Sequence, residues 1–204
     1  LSAACDGLFL ADAGRIRAVN ALGRMMIATR SSGFGVKKGD KLCGTRIIPL
    51  VIEKTAMEEA RRAAGAEPLL QLRPFRARSF GVVTTGSEVQ KGLIQDAFTP
   101  VLQEKLAEYG CTMTAHATPG DDSDAITAAI RKMADAGVEL ILCTGGMSVD
   151  PDDRTPLAIR QSGAAIVGYG APVLPGAMFM LGYLPDGRPV CGLPGCVMYA
   201  KRTI

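Results

Sequence analysis

From residue 80 onwards the chain alternates short apolar runs with longer amphipathic segments. The apolar runs of strand length are 80–84, 111–117 and 138–143. Each amphipathic segment places its apolar side chains at helical spacing and begins with a residue type that starts helices, at Thr99–Pro100 and at Asp122 or Ser123. A repeated strand–helix–strand order favours parallel strands covered by helices. We predict an α/β fold with a doubly wound, mostly parallel sheet and helices on both faces.

The N-terminal part lacks such long periodic runs. Residues 36–41 and 45–52 predict short strands around turns, and residues 53–64 favour a helix. Residues 65–78 contain prolines and arginines, which predict a linker between domains. The predicted domains are a small β-rich region at 1–75, interpreted as part of a larger domain, and an α/β domain at 76–204.

The segment 161–185 has no charged side chain and is long enough to cross a bilayer. Its many Gly and Pro residues are turn signals, so it predicts short buried strands and tight loops rather than one membrane helix. The same segment could pack in a subunit interface or equally in the core, and we expect a homo-oligomer, a dimer or trimer. The chain starts at Leu1 and ends in a helix-like run at 198–204, which indicates a piece of a longer protein.

The amino-acid composition and charge limit the classes of function that this protein can have. The 204 residues are 48% hydrophobic and 21% charged, which is typical of a globular protein. The net charge of +3 hides a basic part and an acidic part: residues 1–75 carry 12 basic and 7 acidic side chains, and residues 76–204 carry 11 and 13. The basic residues are not interleaved with aromatic ones, which favours a solvated face over a nucleic-acid surface.

His116 is the one histidine of the chain, which excludes a His-rich metal site. A Ser-His-Asp triad would have to use this residue, and a lone histidine is more typical of an ordinary surface or core position. The six cysteines form no C-x-x-C pair, so we expect free thiols and a reducing compartment, the cytoplasm.

Polar or Gly-rich loops follow the three predicted strands. In open α/β sheets ligands bind beyond the carboxyl ends of the strands, so these loops should line one site. We call the following segments the strand-end loops: 84–88, 119–122, 144–153, and a fourth, 192–196, after another strand-like run.

The residue types in these loops suit an anionic ligand. Gly145–Gly146 lets the backbone approach an anion, and the helix after Thr155–Pro156 begins with free N–H groups. The hydroxyl donors are Thr85, Ser87 and Ser148. The sequence matches neither a Walker A motif nor G-x-G-x-x-G, so generic nucleotide binding is not indicated.

The carboxylates of these loops suit recognition of N–H donors or of a cation. Asp121, Asp150 or Asp153 could accept the two adjacent N–H donors of a 2-amino-4-oxo pyrimidine ring, or could hold Mg²⁺. Plainer interpretations stay open, in which Gly145–Gly146 is a tight turn and Asp121 and Asp153 are helix caps. In the same plain interpretation Glu88 is a solvated loop residue.

Residues 80–204 resemble the molybdopterin-binding domain shared by molybdenum-cofactor biosynthesis proteins. Leu142–Gly146 with Asp153–Pro156 resembles the signature of molybdopterin adenylyltransferases, whereas Met147–Val149 resembles the molybdotransferase version. Residues 119–122 resemble the family's second acidic loop, and 192–195 match its Leu-Pro-Gly segment. The whole chain, with 44–52, resembles a subgroup known simply as molybdopterin-binding proteins.

The resemblance implies an α/β domain that binds molybdopterin, or its adenylylated form, during molybdenum-cofactor biosynthesis. It implies a role in molybdate insertion as a molybdotransferase-like transferase, with Asp121 and Asp153 as catalytic carboxylates and Asp153 as the candidate Mg²⁺ ligand. The residues expected to contact the ligand are Thr84, Thr85, Gly86, Ser87, Glu88, Thr144, Gly145, Gly146, Met147, Ser148, Asp150, Pro194 and Gly195.

Two departures from the family pattern leave catalysis open. Leu174–Ala177 stands where molybdotransferases commonly carry Lys-Pro-Gly-Lys, and Cys196–Val197 stands where they carry Asn-Pro. Two positive charges that would face a phosphate or molybdate are therefore missing. The alternatives are a non-catalytic carrier or sensor of the cofactor and, because related domains occur in such enzymes, a nucleotide-pyrophosphate hydrolase.

Overall fold

The computed structural model describes residues 1–200. Its contacts divide the chain into two compact units, Leu1–Phe75 and Arg76–Ile204. Across residues 1–200, no helix combines the length and the apolar character that a membrane crossing requires.

The first unit is small and β-rich. Its elements are β1 (Gly7–Ala11), α1 (Ala13–Ala21), β2 (Met25–Thr29), β3 (Phe34–Val36), β4 (Cys43–Ile47), α2 (Lys54–Ala64) and β5 (Leu70–Pro74). Strand β1 lies between β3 and β5 in an antiparallel sheet, and β2 pairs with β4 in a separate ribbon. Ala3, Phe9, Val36 and Leu42 form a buried core cluster in this unit.

One helix of this unit was not predicted, and three local predictions for the unit are corrected. Helix α1 was not predicted, and it begins because the Asp12 side chain accepts the N–H of Arg15 at 2.9 Å. Of the strand predicted over 36–41, only Val36 lies in a strand, β3, and the strand predicted over 45–52 ends at Ile47. The segment 65–78 is not a free linker, because β5 pairs with β1 over its whole length and supplies an edge of the sheet.

Arg15 joins the two helices of the first unit. Its guanidinium donates to the carbonyls of Ala64, at the end of α2, and of Glu67, at 3.0 and 2.7 Å, and it pairs with Asp12 at 2.7 Å. Arg15→Ala is expected to destabilise the first unit by about 1–3 kcal/mol, because these charge-assisted hydrogen bonds are lost. Amide hydrogen exchange of β1 and β5 measures this free energy. Arg17→Ala, an exposed change on the same helix, is the control, and equal effects of the two variants would contradict the expectation.

The second unit is an α/β domain, as predicted. Its elements are β6 (Ser79–Thr84), α3 (Ser87–Gln90), α4 (Phe98–Ala107), β7 (Thr112–Ala117), α5 (Ser123–Asp135), β8 (Leu140–Thr144), α6 (Thr155–Gln161), β9 (Ala165–Tyr169), β10 (Met180–Tyr183), β11 (Pro189–Leu193) and a 3₁₀ turn (Gly195–Met198). The sheet order is β7-β6-β8-β11-β10-β9. The pairs among β7, β6, β8 and β11 are parallel, and β10 runs antiparallel to both of its neighbours.

Alternating side chains of the central strands build a core on each face of the sheet. Val83 and Ile141 pack with α5 and α6, for example against Ile126. Phe80 and Leu142 pack on the opposite face, where α4 lies. Burial on both faces explains why these strands appear in the sequence as continuous apolar runs.

The uncharged segment 161–185 contains β9, β10 and the turns around them, as predicted. The expectation that its strands are buried is only partly correct. Strand β9 is largely exposed, because it lies at the open edge of the sheet and pairs on one side with β10. The helix-like run predicted at 198–204 begins in the 3₁₀ turn, and its last residues, 201–204, lie outside the described residues.

Candidate functional site

The strand-end loops gather at one edge of the second unit. Strands β7, β6, β8 and β11 are adjacent and parallel, so the loops that follow them leave the sheet at the same edge. This arrangement places 84–88, 119–122, 144–153 and 192–196 along one row. It is the position at which open α/β sheets bind ligands.

The first two loops are held together by Asp121. One carboxylate oxygen of Asp121 accepts the N–H of Ser87 at 2.7 Å, and the N–H of Gly86 points to the Gly120 carbonyl at 3.4 Å. Asp121 is therefore not the cap of α5. Asp122 has that role, since its side chain accepts the N–H groups of Asp124 and Ala125 at 2.8 Å.

The first and third loops are held together by two threonines. Thr85 donates its N–H and its hydroxyl to the carbonyl of Thr144, at 2.8 and 3.1 Å. The Thr155 hydroxyl donates to the carbonyl of Gly145 at 2.8 Å and lies 3.2 Å from the Thr85 hydroxyl. Thr155 was not among the predicted site residues, although it stands in the Asp153–Pro156 motif.

Gly145 and Gly146 form a turn that requires glycine. Their φ angles are +82° and +51°, which lie in the left-handed region. A Cβ on Gly145 would lie 2.5 Å from the Thr85 carbonyl oxygen, and one on Gly146 would lie 3.0 Å from the Thr155 hydroxyl. The turn thus presents bare backbone at the end of β8.

Asp153 closes the third loop on itself. One oxygen of its carboxylate accepts both the N–H of Ser148, at 2.6 Å, and the hydroxyl of Ser148, at 2.8 Å. The Ser148 hydroxyl oxygen in turn accepts the N–H of Asp150 at 3.2 Å. Asp153 is therefore not the N-cap of α6, a position that Arg154 occupies without a side-chain hydrogen bond.

The structure brings only some of the predicted contact residues to the accessible surface. Glu88, Asp121, Ser148, Asp150 and Gly195 are exposed there, and Gly86, Ser87, Gly145, Gly146 and Asp153 are half-buried. Met147 is buried instead in the core beside Ile159, with its side chain against Gly192. Pro194 and Thr85 are also buried.

The side chains of Thr84 and Thr144 lie on the face of the sheet that α4 covers. Thr84 contacts Thr99 of α4, and Thr144 pairs in register with Thr84 across β6 and β8. Both residues are at most 1% exposed. Within residues 1–200 the Thr144 hydroxyl has no hydrogen-bond partner. The side-chain hydroxyls of these two residues therefore do not face the surface that Ser148 and Asp153 share.

A polar cluster that sequence reasoning missed lies under the first loop. The Asp96 carboxylate accepts hydrogen bonds from the hydroxyls of Thr84, at 2.9 Å, and of Thr99, at 2.5 Å, and it lies 3.1 Å from Nε2 of His116. We call these four residues the Asp96 cluster. Burial raises the pKa of Asp96, but the hydrogen bonds from Thr99, Thr84 and Phe98 outweigh it and hold that pKa below its ordinary value of 3.8.

The Asp96 cluster contains a hydroxyl, an imidazole and a carboxylate, but not the geometry of a catalytic triad. In a triad one imidazole nitrogen faces the nucleophile and the other faces the carboxylate. Here the same nitrogen, Nε2 of His116, lies 3.1 Å from both Thr84 Oγ1 and the Asp96 carboxylate. Thr84 is also buried and donates its proton directly to Asp96. The cluster is therefore a hydrogen-bonded anchor, and its signal in the sequence would have been a lone Asp two residues before a helix.

Two cysteines in the central strands are expected to have unreactive thiols. Burial raises the pKa of Cys191 to about 12, and burial together with the neighbouring Cys191 thiol raises the pKa of Cys143. At pH 8 only about one Cys191 in ten thousand would be a thiolate.

We expect iodoacetamide to leave both residues unmodified in the native protein and to modify them after denaturation, as measured by peptide mass spectrometry. Native labelling of Cys191 as fast as that of half-buried Cys5 would contradict this.

The strand-end loops carry more negative than positive side chains. The carboxylates are Glu88, Asp121, Asp122, Asp150, Asp152 and Asp153. Across residues 1–200 no three metal-binding side chains converge on one point. Mg²⁺ usually takes one or two protein carboxylates, with ligand phosphates and waters as its other partners. A single carboxylate such as Asp153, beside a ligand phosphate, therefore fits Mg²⁺.

Comparison with known proteins identifies the second unit. A family model described as "Probable molybdopterin binding domain" matches residues 81–204, which is more than half of the chain. The chain belongs to this family. The molybdopterin-binding domain thus accounts for the parallel sheet and for all four strand-end loops, and it relates the chain to molybdenum-cofactor biosynthesis.

Curated relatives share parts of the chain. The molybdopterin molybdenumtransferase of Synechococcus elongatus is 27% identical over 177 residues, which are 81% of this chain and 42% of that protein. A CinA-like protein of Mycobacterium avium is 40% identical over 82 residues, which are 40% of this chain and 19% of that protein. The chain thus spans less than half the length of either relative.

Solved structures share the fold of the molybdopterin-binding domain. The molybdopterin biosynthesis enzyme MoaB of Thermus thermophilus has a TM-score of 0.51 and 25% identity, over 58% of this chain and 81% of that chain. MoaB of Pyrococcus furiosus, described as a tungsten cofactor synthesizing protein, has a TM-score of 0.52 and 22% identity, over 63% and 88%. These similarities confirm the predicted α/β architecture.

Proposed function

We propose that the second unit binds molybdopterin, or its adenylylated form, along the strand-end loops as a step of molybdenum-cofactor biosynthesis. The observation that carries this proposal is the Gly145–Gly146 turn. It presents backbone at the end of β8, where a side chain on Gly145 would collide with Thr85. Backbone N–H groups in this conformation suit a phosphate. The pterin part of the proposed ligand is inferred from the family to which the chain belongs.

Each part of the ligand has a matching group in the loops. The terminal phosphate would lie over Gly145–Gly146, near the exposed residue Ser148. The N–H edge of the pterin ring suits a carboxylate, and Asp121 and Asp150 each have one oxygen that accepts a hydrogen bond within the loops. A carboxylate has about four acceptor sites, so both residues retain capacity for a ligand.

The chain's own contribution to any reaction would be electrostatic and orientational. Asp153 would help to hold Mg²⁺ against the ligand phosphate, and the cation would supply the positive charge that the acidic loops lack. The segment Leu174–Ala177 follows β9, whose carboxyl end lies at the same edge of the sheet as the strand-end loops. Its neutral side chains favour binding and transfer of the cofactor over molybdate insertion.

The experiment that tests the proposal is titration of the purified protein with molybdopterin. We expect saturable binding with one site per chain. A simple pterin without the dithiolene and phosphate is the control ligand and should bind more weakly. Absence of saturable binding would overturn the proposal.

A second assay separates a transferase from a carrier. It measures molybdate-dependent release of AMP from adenylylated molybdopterin, and we expect no AMP release above background.

A second candidate function is hydrolysis of a nucleotide pyrophosphate. The carboxylates around the Gly145–Gly146 turn favour it, since a divalent cation on a pyrophosphate needs such oxygens. Turnover of a panel of dinucleotides that depends on added Mg²⁺ would support this function. Absence of turnover across the panel would remove it.

A further inference from the structure

The carboxylate of Asp96 contacts three elements of the second unit, α4, β6 and β7. One oxygen of Asp96 accepts the N–H groups of Phe98 and Thr99, at 2.9 and 3.1 Å, and so satisfies the first turn of α4. The other oxygen accepts the hydroxyl of Thr84 at the end of β6 and faces His116 near the end of β7. Asp96 is half-buried, in a position where such charge-assisted hydrogen bonds are strong.

The position of Thr84 in the chain makes this carboxylate relevant to the site. Thr84 is the last residue of β6, and its hydroxyl faces α4, whereas the next residue, Thr85, faces the Gly145 turn. The backbone between the two residues is therefore fixed from both sides. On one side Asp96 holds Thr84, and on the other side the Thr144 carbonyl holds Thr85 at 2.8 Å.

We propose that Asp96 is a positioning residue, which acts through the Thr84 hydroxyl to fix the loop at residues 85–88. It does not touch the ligand. The consequence for the site is that the N–H groups of Gly86 and Ser87 and the turn at Gly145 keep their places relative to each other. This inference rests on the proposed function only for its effect on ligand binding, because its effect on the loop needs no ligand.

Thr84→Val is the sharpest test, because valine has the shape of threonine and lacks the hydroxyl. The variant leaves the bonds from Asp96 to Phe98 and Thr99 in place, so α4 keeps its first turn. We expect amide exchange at Thr85 and Ser87 to become about tenfold faster, the amount that loss of one charge-assisted hydrogen bond gives. Molybdopterin affinity should fall by about the same factor.

Thr127→Val is the matched control. Thr127 is a buried threonine on the opposite face of the sheet, and its hydroxyl donates to the carbonyls of Ser123 and Ala158. Its replacement should destabilise the unit without faster exchange at Thr85 and Ser87. Asp96→Asn is the second variant and should change exchange in the same direction as Thr84→Val.

Three outcomes decide between the possibilities. Equal exchange at Thr85 and Ser87 in Thr84→Val and Thr127→Val would overturn the positioning role. Faster exchange in Thr84→Val with unchanged molybdopterin affinity would overturn its relevance to the ligand. If the wild-type protein does not bind molybdopterin, the proposed function fails, while the exchange result still tests whether Asp96 fixes the loop.

Discussion

Replacement of Gly145 by alanine is expected to lower the unfolding free energy of the second unit by about 2–5 kcal/mol. Two effects combine. The φ of +82° is unfavourable for a residue with a Cβ, and that Cβ would lie 2.5 Å from the Thr85 carbonyl oxygen. The obstacle is backbone, which cannot rotate away as a flexible side chain can. Urea-dependent hydrogen exchange of β6 and β8 gives the free energy.

Gly137→Ala is the control for this prediction. Gly137 has the same φ of +82°, but nothing lies within 4 Å of the position its Cβ would take. This variant therefore has the backbone strain without the collision, and it should cost only about 1–2 kcal/mol. If the two substitutions lowered the unfolding free energy equally, the close approach of Thr85 to the turn would make no contribution to stability.

Asp153→Ala is expected to weaken molybdopterin binding about 10- to 100-fold. The variant loses both hydrogen bonds from Ser148 but keeps the backbone hydrogen bond from residue 153 to the Asp150 carbonyl, so the third loop is held less firmly. It also loses the carboxylate proposed to hold Mg²⁺ at the ligand phosphate. Titration of the variant with molybdopterin at fixed Mg²⁺ measures the effect.

Asp152→Ala removes the same charge from the neighbouring position. Asp152 is exposed, and its backbone N–H, which the substitution keeps, makes the hydrogen bond to Asp150. The control therefore changes the electrostatic potential of the loop by the same amount without opening it. Affinity should change less than threefold. Equal losses in the two variants would show that only the net charge of the loop matters.

The parallel sheet could be predicted from the sequence because its strands are buried on both faces. Burial leaves a continuous apolar run at the central strands, and 80–84 and 138–143 correspond to β6 and β8. The predicted strand 111–117 corresponds to β7, an edge strand whose residues alternate between exposed and half-buried. The first unit gave weaker signals. Helix α1 has only two buried residues, Ile16 and Val19, so its apolar periodicity is slight.

The loops of the candidate site could be placed from the sequence, but the direction of each side chain could not. Topology alone puts the loops at one edge, because parallel strands share that edge. Whether a residue faces the surface depends on strand alternation and on contacts distant in sequence. Met147 is in the right loop and packs into the core, and Asp96 lies outside every predicted loop yet holds the end of β6.

Amide hydrogen exchange of the full chain with and without molybdopterin tests the central claim most directly. It reports binding and location together, because bound ligand slows exchange only where it contacts or orders the backbone. We predict slower exchange in the strand-end loops, at residues 84–88, 119–122, 144–153 and 192–196, with little change in the first unit. Unchanged exchange at saturating molybdopterin, or protection confined to the first unit, would contradict the proposed site.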